Sequence, residues 1–444
     1  MRKRTRFIYN TTLLTASTLL MRCIGCAFQV WLAGRIGSAG IGLYQLMGSA
    51  GGLAVTFAVS GIGFGTMRLV SEELGQGSSR SAGKAVLCCL GYALFFGCLA
   101  GLVLYRFAEP IGFLWIKDGR TVLPLRIMAW EMPFIALSAV FSGYFTACGR
   151  VGRSTAAALG QQLLTVGLTY LLLQKVSYGD IAQNCACITL AGTVSEAVGC
   201  AVLGLLYLID RMTHDRSGSC AEDLLPRLLH ISLPLAVSAY TRSGLNTLQH
   251  MLIPSGLRKS GLTAAQALSA YGIVHGMTMT VIYFPTCILY VVAQLLIPDL
   301  TETQVQGSCG RITRICTKML RLAMIFSTAA AVVLFLSAER IAIGIYQTSQ
   351  VADYIRIFVP IVPMIYMDII VDGCLKGLGQ QMWSMGINIV ESACSVFLTY
   401  LLIPRFGIMG FVWVVYFNEI FNFVLSFGKL RRVMSRCNPS SETV

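Results

Sequence analysis

Two arginines lie deep inside long apolar stretches of the sequence. Arg22 follows Arg6 by sixteen residues and Arg242 follows Arg227 by fifteen, so the pair holds matching places in the two halves of the chain. An arginine near the middle of a bilayer is costly unless it faces water or an anionic partner. Guanidinium also binds phosphate oxygens in a bidentate manner and keeps its charge at every relevant pH. The pair therefore predicts a cationic cavity for a phosphate-bearing ligand.

Two further side chains complete the predicted substrate-binding set. Arg68 lies at the predicted cytoplasmic end of the second apolar run, where it would meet a headgroup from inside, although a role in topology explains it equally well. Glu131 lies in the fourth run. The alternative interpretation is that Arg22 and Arg242 pair with Glu131 or Glu196 and only hold helices together.

Carboxylates and amides are frequent in the last two apolar runs. Asn388 and Glu391 are three residues apart in the eleventh run, and Asn418 and Glu419 are adjacent in the twelfth. Hard cations prefer oxygen ligands, so these four residues are a candidate site for sodium or protons in the C-terminal half alone. Interhelical hydrogen bonding by Asn and Glu accounts for the same residues.

The sequence lacks motifs of catalysis and metal binding. It has no Walker loop, no zinc motif and no nucleophile with its base. The glycines of Gly61-x-Gly63-x-Gly65 lack the setting of a nucleotide fold, and we expect them to permit close helix packing or bending. We therefore expect no enzymatic activity, catalytic residue, metal site or cofactor.

Membrane-spanning helices must position these residues. The 444 residues are 55% hydrophobic and 12% charged, which is far more apolar than a globular protein. Apolar runs long enough to cross a bilayer recur about twelve times. The basic residues behind the net charge of +14 lie in short clusters between these runs, which indicates membrane topology and not nucleic-acid binding. The sequence predicts an all-α, polytopic membrane protein whose surroundings are the lipid bilayer.

The distribution of basic residues predicts the orientation. With a cytoplasmic N-terminus, 21 Lys and Arg residues fall on the inside and 11 on the outside. The positive-inside rule then favours both termini in the cytoplasm.

An internal repeat at an offset of 230 residues divides the chain. Gly143, Gly149 and the run 168–172 recur as Gly373, Gly379 and the run 398–402. We predict an N-terminal six-helix lobe (1–209), a cytoplasmic linker (210–226), a C-terminal six-helix lobe (227–428) and a cytoplasmic tail (429–444). Because six is even, the lobes must be related by an axis along the membrane normal and enclose a central cavity.

Several short segments carry a resemblance to a known family. They are Gly40–Leu46, Arg68–Glu73, Ile231–Leu235, Leu252–Pro254, Ala270–Gly272, Phe284–Thr286 and Gly373–Gly379. In these segments and their order the chain resembles the stage V sporulation protein B family, within the MOP superfamily of polysaccharide and lipid II flippases and multidrug exporters. The resemblance implies two six-helix lobes with alternating access. It also implies functional cavity arginines in the first and the seventh or eighth helices, where Arg22 and Arg242 fit.

These observations support one main hypothesis. The chain is expected to move a polyprenyl-pyrophosphate-linked sugar, a peptidoglycan or polysaccharide precursor, from the inner to the outer leaflet of the bacterial cell membrane, with a sporulation or cell-wall role suggested by resemblance. Coupling to sodium, protons or the membrane potential is expected, and cell-wall synthases are candidate partners. The alternatives are a cation-coupled multidrug exporter and a non-transporting scaffold for cell-wall synthesis.

Overall fold

The computed structural model describes residues 2–75, 79–175, 181–212, 224–305 and 308–436. Within these ranges the chain is almost entirely helical and has no β-strand, which confirms the predicted all-α class. The helices of the N-terminal half are α1 (Arg2–Val59), α2 (Ile62–Gly75), α3 (Ser79–Pro110), α4 (Val122–Ala129), α5 (Met132–Ala147), α6 (Val151–Gln174) and α7 (Ile181–Met212). Those of the C-terminal half are α8 (Leu224–Lys259), α9 (Ala264–Tyr271), α10 (Met279–Tyr283), α11 (Thr286–Val305), α12 (Cys309–Tyr346), α13 (Gln350–Phe358), α14 (Val362–Gly377), α15 (Gln381–Phe406) and α16 (Ile408–Arg436).

These helices account for about twelve membrane crossings. Eight described segments are long and apolar enough to cross a membrane, or up to ten if each of two bent helix pairs crosses as one. The segment Ala16–Leu74 has 59 residues, roughly 90 Å at 1.5 Å per residue, so it must cross a bilayer core twice. Its helix is kinked at Gly37, where φ is 71° and ψ is 176°. When the second crossing of this segment and the 36-residue helix α8 are counted as well, the number of crossings rises from ten to twelve.

Both bent pairs have a proline at or just after the break. The segments Gly119–Ala129 and Met132–Ala147 meet at 42°, and Ala264–Tyr283 and Thr286–Thr301 meet at 55°. Pro133 and Pro285 stand beside these breaks, where the missing N–H and the bulky ring interrupt the helical hydrogen bonds. The first bend places Glu131 between two helices rather than within one.

The described chain divides into two compact units. The N-terminal unit contains Leu46–Thr247 and the segment up to Ser17, and the C-terminal unit contains Thr18–Gln45 and the residues from Leu248 onward. Compared with the predicted lobes, 18–45 belongs with the C-terminal unit and 227–247 with the N-terminal unit. The linker and tail are only partly described: α7 continues to Met212 and α16 to Arg436, whereas 213–223 and 437–444 lie outside the described residues.

Glycine contacts within each unit explain these two exchanges. A Cβ on Gly42 would lie 2.3 Å from the Leu268 carbonyl oxygen, and one on Gly272 would lie 2.0 Å from the Ser38 carbonyl oxygen. In the N-terminal unit, a Cβ on Gly61 would lie 2.9 Å from the Ser232 carbonyl oxygen, and Gly61 has φ of 71°. Close backbone packing of this kind requires glycine, as we expected for the glycines of α2.

Candidate functional site

Arg22 lies against an aromatic ring at the wall of a cavity. Its guanidinium carbon is 4.3 Å from the ring centroid of Tyr290 on α11, a geometry in which the ring stabilises the cation and orients its plane. The cavity has a volume of about 410 Å³, within the range typical of sites for small ligands. The Arg22 side chain is exposed, so its hydrogen-bond donors are available to a ligand.

The remaining lining of the cavity is polar and uncharged on one side and aromatic on the other. Residues 22, 26 and 29 of α1 follow the spacing of one helical face and bring Arg22, Cys26 and Gln29 to the same wall. The other lining residues are Gly25, Gln45, His275, Met279, Thr280, Tyr283, Phe284 and Cys287. All of them belong to the C-terminal unit. None of the lining residues is acidic, which makes the cavity suited to an anionic group.

The structure assigns the second predicted arginine to the other unit. Arg242 lies on α8 in the part of the chain that packs with the N-terminal unit, and its side chain is exposed. A cavity shared by Arg22 and Arg242 therefore stays a prediction.

Arg68 is part of an ion-pair network at one end of α2. Its Nε donates to Glu72 at 3.0 Å, and Arg227 of α8 donates to Glu72 and to Glu73, at 2.8 Å in both cases. The Glu73 side chain is only 1% exposed. Arg68 itself is 56% exposed, so it remains accessible to a headgroup while one of its donors is occupied.

Glu131 lies in a second group of polar side chains, within the N-terminal unit. Its charge interacts with that of Glu196 on α7, and Glu196 accepts a hydrogen bond from the Gln161 amide on α6. Glu131 thus has a carboxylate neighbour, and neither Glu131 nor Glu196 has a described ion-pair partner. The alternative pairing of Arg22 or Arg242 with these two residues has no support among the described contacts.

The four predicted cation-coupling residues do not share one set of contacts. Glu391 accepts a hydrogen bond of 2.9 Å from the Asn422 amide and interacts electrostatically with Glu419 and with Asp368 of α14. Asn418 instead donates to Ser395 at 2.6 Å.

The other two members of the predicted set differ in their surroundings. Glu419 interacts electrostatically with Tyr283. Asn388 is half-buried, and its carbonyl oxygen accepts from Ser392 at 2.8 Å. We name Asp368, Glu391 and Glu419 the acid cluster.

None of the described ion pairs includes a member of the acid cluster. Asp368 Oδ1 is buried and has no hydrogen-bond partner. Among the described residues, no group of three or more His, Cys, Asp or Glu side chains is arranged to hold a metal ion. Buried carboxylates without cations are costly when ionised, so the cluster is suited to a bound proton or to a cation that draws its members together.

Two tyrosines connect the acid cluster with the Arg22 cavity. Tyr283 lines the cavity and interacts electrostatically with Glu419. Tyr290, which stacks on Arg22, interacts electrostatically with Asp368 and Glu419. Sequence reasoning omitted both tyrosines from the site, because a tyrosine in an apolar run is usually a packing residue. The motif Phe284-Pro-Thr286, which marks the bend, was the available signal for Tyr283.

Comparisons with known proteins agree with this architecture. Residues 14–171 match the MatE family. The chain is 22% identical over 421 residues to Stage V sporulation protein B of Bacillus subtilis (strain 168), covering 91% of this chain and 79% of that protein. It is 19% identical over 386 residues to Sporulation protein YkvU of the same organism, covering 84% and 83%.

A solved structure has the same fold. It is an inward-facing conformation of a multidrug resistance MATE family transporter of the MOP superfamily, with a TM-score of 0.73, 15% identity and coverage of 96% of both chains. The resemblance identified from the sequence motifs is thereby confirmed. The chain thus has the fold of a multi-pass membrane transporter of the MOP superfamily and is similar in sequence to Stage V sporulation protein B.

Proposed function

We propose that this transporter is a flippase for a polyprenyl-pyrophosphate-linked sugar, a peptidoglycan or polysaccharide precursor. The observation that carries the proposal is the accessible guanidinium of Arg22 in a polar cavity whose lining has no carboxylate. A pyrophosphate offers the bidentate oxygen pairs that guanidinium binds best. The glutamine and threonine side chains of the same wall can hydrogen-bond sugar hydroxyls.

Rocking of the two halves would expose the occupied cavity first to one leaflet and then to the other, while the hydrocarbon tail stays in the lipid. An inside-negative potential favours outward movement of an anion by about 2.3 kcal/mol per charge per 100 mV. For a headgroup whose charge is not fully neutralised by Arg22, this potential supplies a driving force without nucleotide hydrolysis.

The acid cluster is the proposed site of sodium or proton coupling. Occupation of the cluster by a cation would change the charge next to Tyr283, which lines the Arg22 cavity, and next to Tyr290, which stacks on Arg22. Cation binding and headgroup binding would thus influence one another through shared residues rather than over a distance. Asn388, one turn before Glu391 on α15, would supply a neutral oxygen ligand, and Asn418 would need to turn from Ser395 to supply another.

The proposed location is the bacterial cell membrane, with both termini in the cytoplasm. Cell-wall synthases, which use the flipped lipid, are the proposed partners, and the similarity to sporulation proteins supports a role in building the spore or cell envelope. Reporter domains fused to the C-terminus, one active only in the cytoplasm and one only outside, test the orientation.

The decisive experiment measures translocation of fluorescent lipid II and a second polyprenyl-pyrophosphate sugar in proteoliposomes under an imposed potential. Arg22→Ala should reduce the rate at least about tenfold, because a hydrogen bond to a charged group contributes about 1.5–3 kcal/mol. Arg321→Ala, an exposed arginine on α12, is the matched control and should retain the wild-type rate. Equal rates in all three proteins would contradict the role of Arg22.

The second candidate function is cation-coupled multidrug export, favoured by the fold shared with a multidrug resistance transporter. A binding site for cationic drugs needs an accessible acid, whereas the charged side chain at the Arg22 cavity is basic. Accumulation assays with lipophilic cations distinguish the two functions. Export of such cations, with no translocation of either lipid under any gradient, would establish the second candidate.

A further inference from the structure

Two histidines form a connected group at the wall of the Arg22 cavity. His275 lines the cavity, and its ring centroid lies 4.5 Å from that of His250 on α8. Tyr271 stacks on His275 at 5.3 Å, with an interplanar angle of 16°, and its hydroxyl lies 3.0 Å from His250 Nδ1. The group therefore contains two imidazoles in direct contact, of which one faces the cavity.

The backbone holds this group in place. His275 lies in the π-helical segment Gly272–Thr278 between α9 and α10, and π-helical turns are frequent at functional sites. A Cβ on Gly276 would lie 2.1 Å from the Ile41 side chain, so α1 packs directly on this turn. Gln29, another cavity residue, donates from Nε2 to the Gly276 carbonyl oxygen at 3.3 Å. These two contacts with α1 hold the π-helical turn that carries His275 beside the cavity.

The surroundings of His275 contain a cation but no carboxylate in the cavity lining. The titratable neighbours from the packed elements are Arg22, Cys26, His250, Tyr271, Tyr283, Cys287 and Tyr346. Helix α13 also packs on the π-helical segment. Its Asp353 and Tyr354 line a different cavity, and its Arg356 pairs with Glu339. The charged side chain of the lining is thus the cation Arg22, and no carboxylate of the lining balances it.

An anion in the cavity would reverse this balance. A pyrophosphate group carries more negative charge than the single Arg22 can neutralise, and imidazole is the side chain whose charge changes most readily near neutral pH. Protonation of His275 would add a second cation and a second hydrogen-bond donor beside the ligand. If His275 served only as an aromatic packing residue, neither a second imidazole beside it nor the access of His275 to the cavity would be required.

We propose that His275 takes up a proton when a pyrophosphate group enters the Arg22 cavity, so that ligand and proton bind together. This inference rests on the proposed function, because it presumes an anionic ligand. The proton comes from water and binds the free ring nitrogen of His275. Upon release of the ligand the proton leaves again, which makes the step a reversible cotransport of charge. A free pyrophosphate and the headgroup of a polyprenyl lipid share this chemistry.

The test is calorimetric titration of purified protein in nanodiscs, with polyprenyl pyrophosphate and, separately, with inorganic pyrophosphate. Repeating each titration in two buffers of different ionisation enthalpy gives the number of protons taken up. Wild-type protein should take up about one proton per ligand. Between the pKa of His275 in the free protein and its pKa in the complex, the affinity should rise up to about tenfold for each unit by which the pH falls. The wild-type measurement needs no variant and is independent of any folding defect.

Variants assign the proton to a residue. His275→Gln should bind the ligand with about one proton less taken up than by the wild type, and its affinity should depend correspondingly less on pH. His230→Gln, an exposed histidine elsewhere on α8, should behave as wild type. Binding that depends on Arg22 but takes up no proton overturns this inference and leaves the proposed function intact. Failure of the wild type to bind either ligand overturns both, whereas binding of inorganic pyrophosphate alone supports the proton step but contradicts a lipid substrate.

Discussion

Helices α6 and α15 are the fifth predicted spans of the two sequence halves, and they carry the same kind of polar pair in opposite arrangements. On α6 the amide of Gln161 donates to the carboxylate of Glu196 on α7. On α15 the repeat-related position is Glu391, whose carboxylate accepts from the amide of Asn422 on α16 at 2.9 Å. Each half thus uses an amide and a carboxylate to join the same two helices. In the C-terminal half, where the carboxylate lies on α15, Glu391 is beside two other acids, Asp368 and Glu419.

The surroundings of these pairs suggest different roles. In the N-terminal unit, the most buried acids at the helix ends have arginine partners: Asp210, 2% exposed, binds Arg153 at 2.7 Å and also Arg150. In the C-terminal unit, Asp368, Glu391 and Glu419 have no arginine or lysine partner among the described ion pairs. The described ion pairs thus neutralise a buried acid at a helix end of the N-terminal unit, whereas Glu131 and Glu196 of that unit and all three members of the acid cluster have no described ion-pair partner.

The largest expected effect concerns a neutralised acid. Asp210→Ala should lower the free energy of unfolding by about 3–5 kcal/mol, because it leaves two arginines near the end of α7 without their buried partner. Asp210 also accepts from the Tyr144 hydroxyl at 2.8 Å, so three donors lose their acceptor together. Thermal unfolding of the detergent-solubilised protein measures the change.

Glu109→Ala is the control for Asp210→Ala. Glu109 also pairs with an arginine, Arg126, but its side chain is 59% exposed, and exposed pairs contribute only about 0–1 kcal/mol. Equal losses of stability in the two variants would contradict a structural role for the buried acid.

An intermediate effect is expected for the acid cluster, in activity and not in stability. Glu391→Gln combined with Glu419→Gln should reduce transport driven by a sodium or proton gradient about tenfold, equivalent to about 1.4 kcal/mol. Transport driven by the membrane potential alone should change less. The amide side chains keep the shape, and that at position 391 can still accept from Asn422, while both remove the charge.

Glu196→Gln is the matched variant in the N-terminal half, because it removes one carboxylate from the same helix pair. It should leave gradient-driven transport within about twofold of wild type, if the acids of that half only join helices. An equal loss in both variants would remove the functional distinction between the halves.

Sequence patterns were sufficient for the class of fold and insufficient for the assignment of helices to units. The apolar runs and the repeat predicted about twelve helices in two halves, since both signals depend on composition and spacing. The association of 18–45 with the C-terminal unit depends on glycine contacts between distant segments, such as Gly42 with Leu268, which have no periodicity. For the same reason, Arg22 was predicted beside a cavity, whereas Tyr290 and His275 were not.

The smallest expected effect comes from exchanging the two arrangements. The double variant Gln161→Glu with Glu196→Gln places the carboxylate on α6, as Glu391 stands on α15, and retains one amide–carboxylate hydrogen bond between the same helices. Its stability should lie within about 1 kcal/mol of wild type, the scale of one interhelical hydrogen bond. Gln161→Glu alone should lose more, because it places three carboxylates, including Glu131, close together without a cation.

Thermal unfolding of the single and double variants gives the coupling energy between the two positions. A double variant no more stable than Gln161→Glu would mean that the hydrogen bond depends on its direction. The opposite arrangement in the C-terminal half would then reflect the geometry of α15 and α16 and not the availability of its acids.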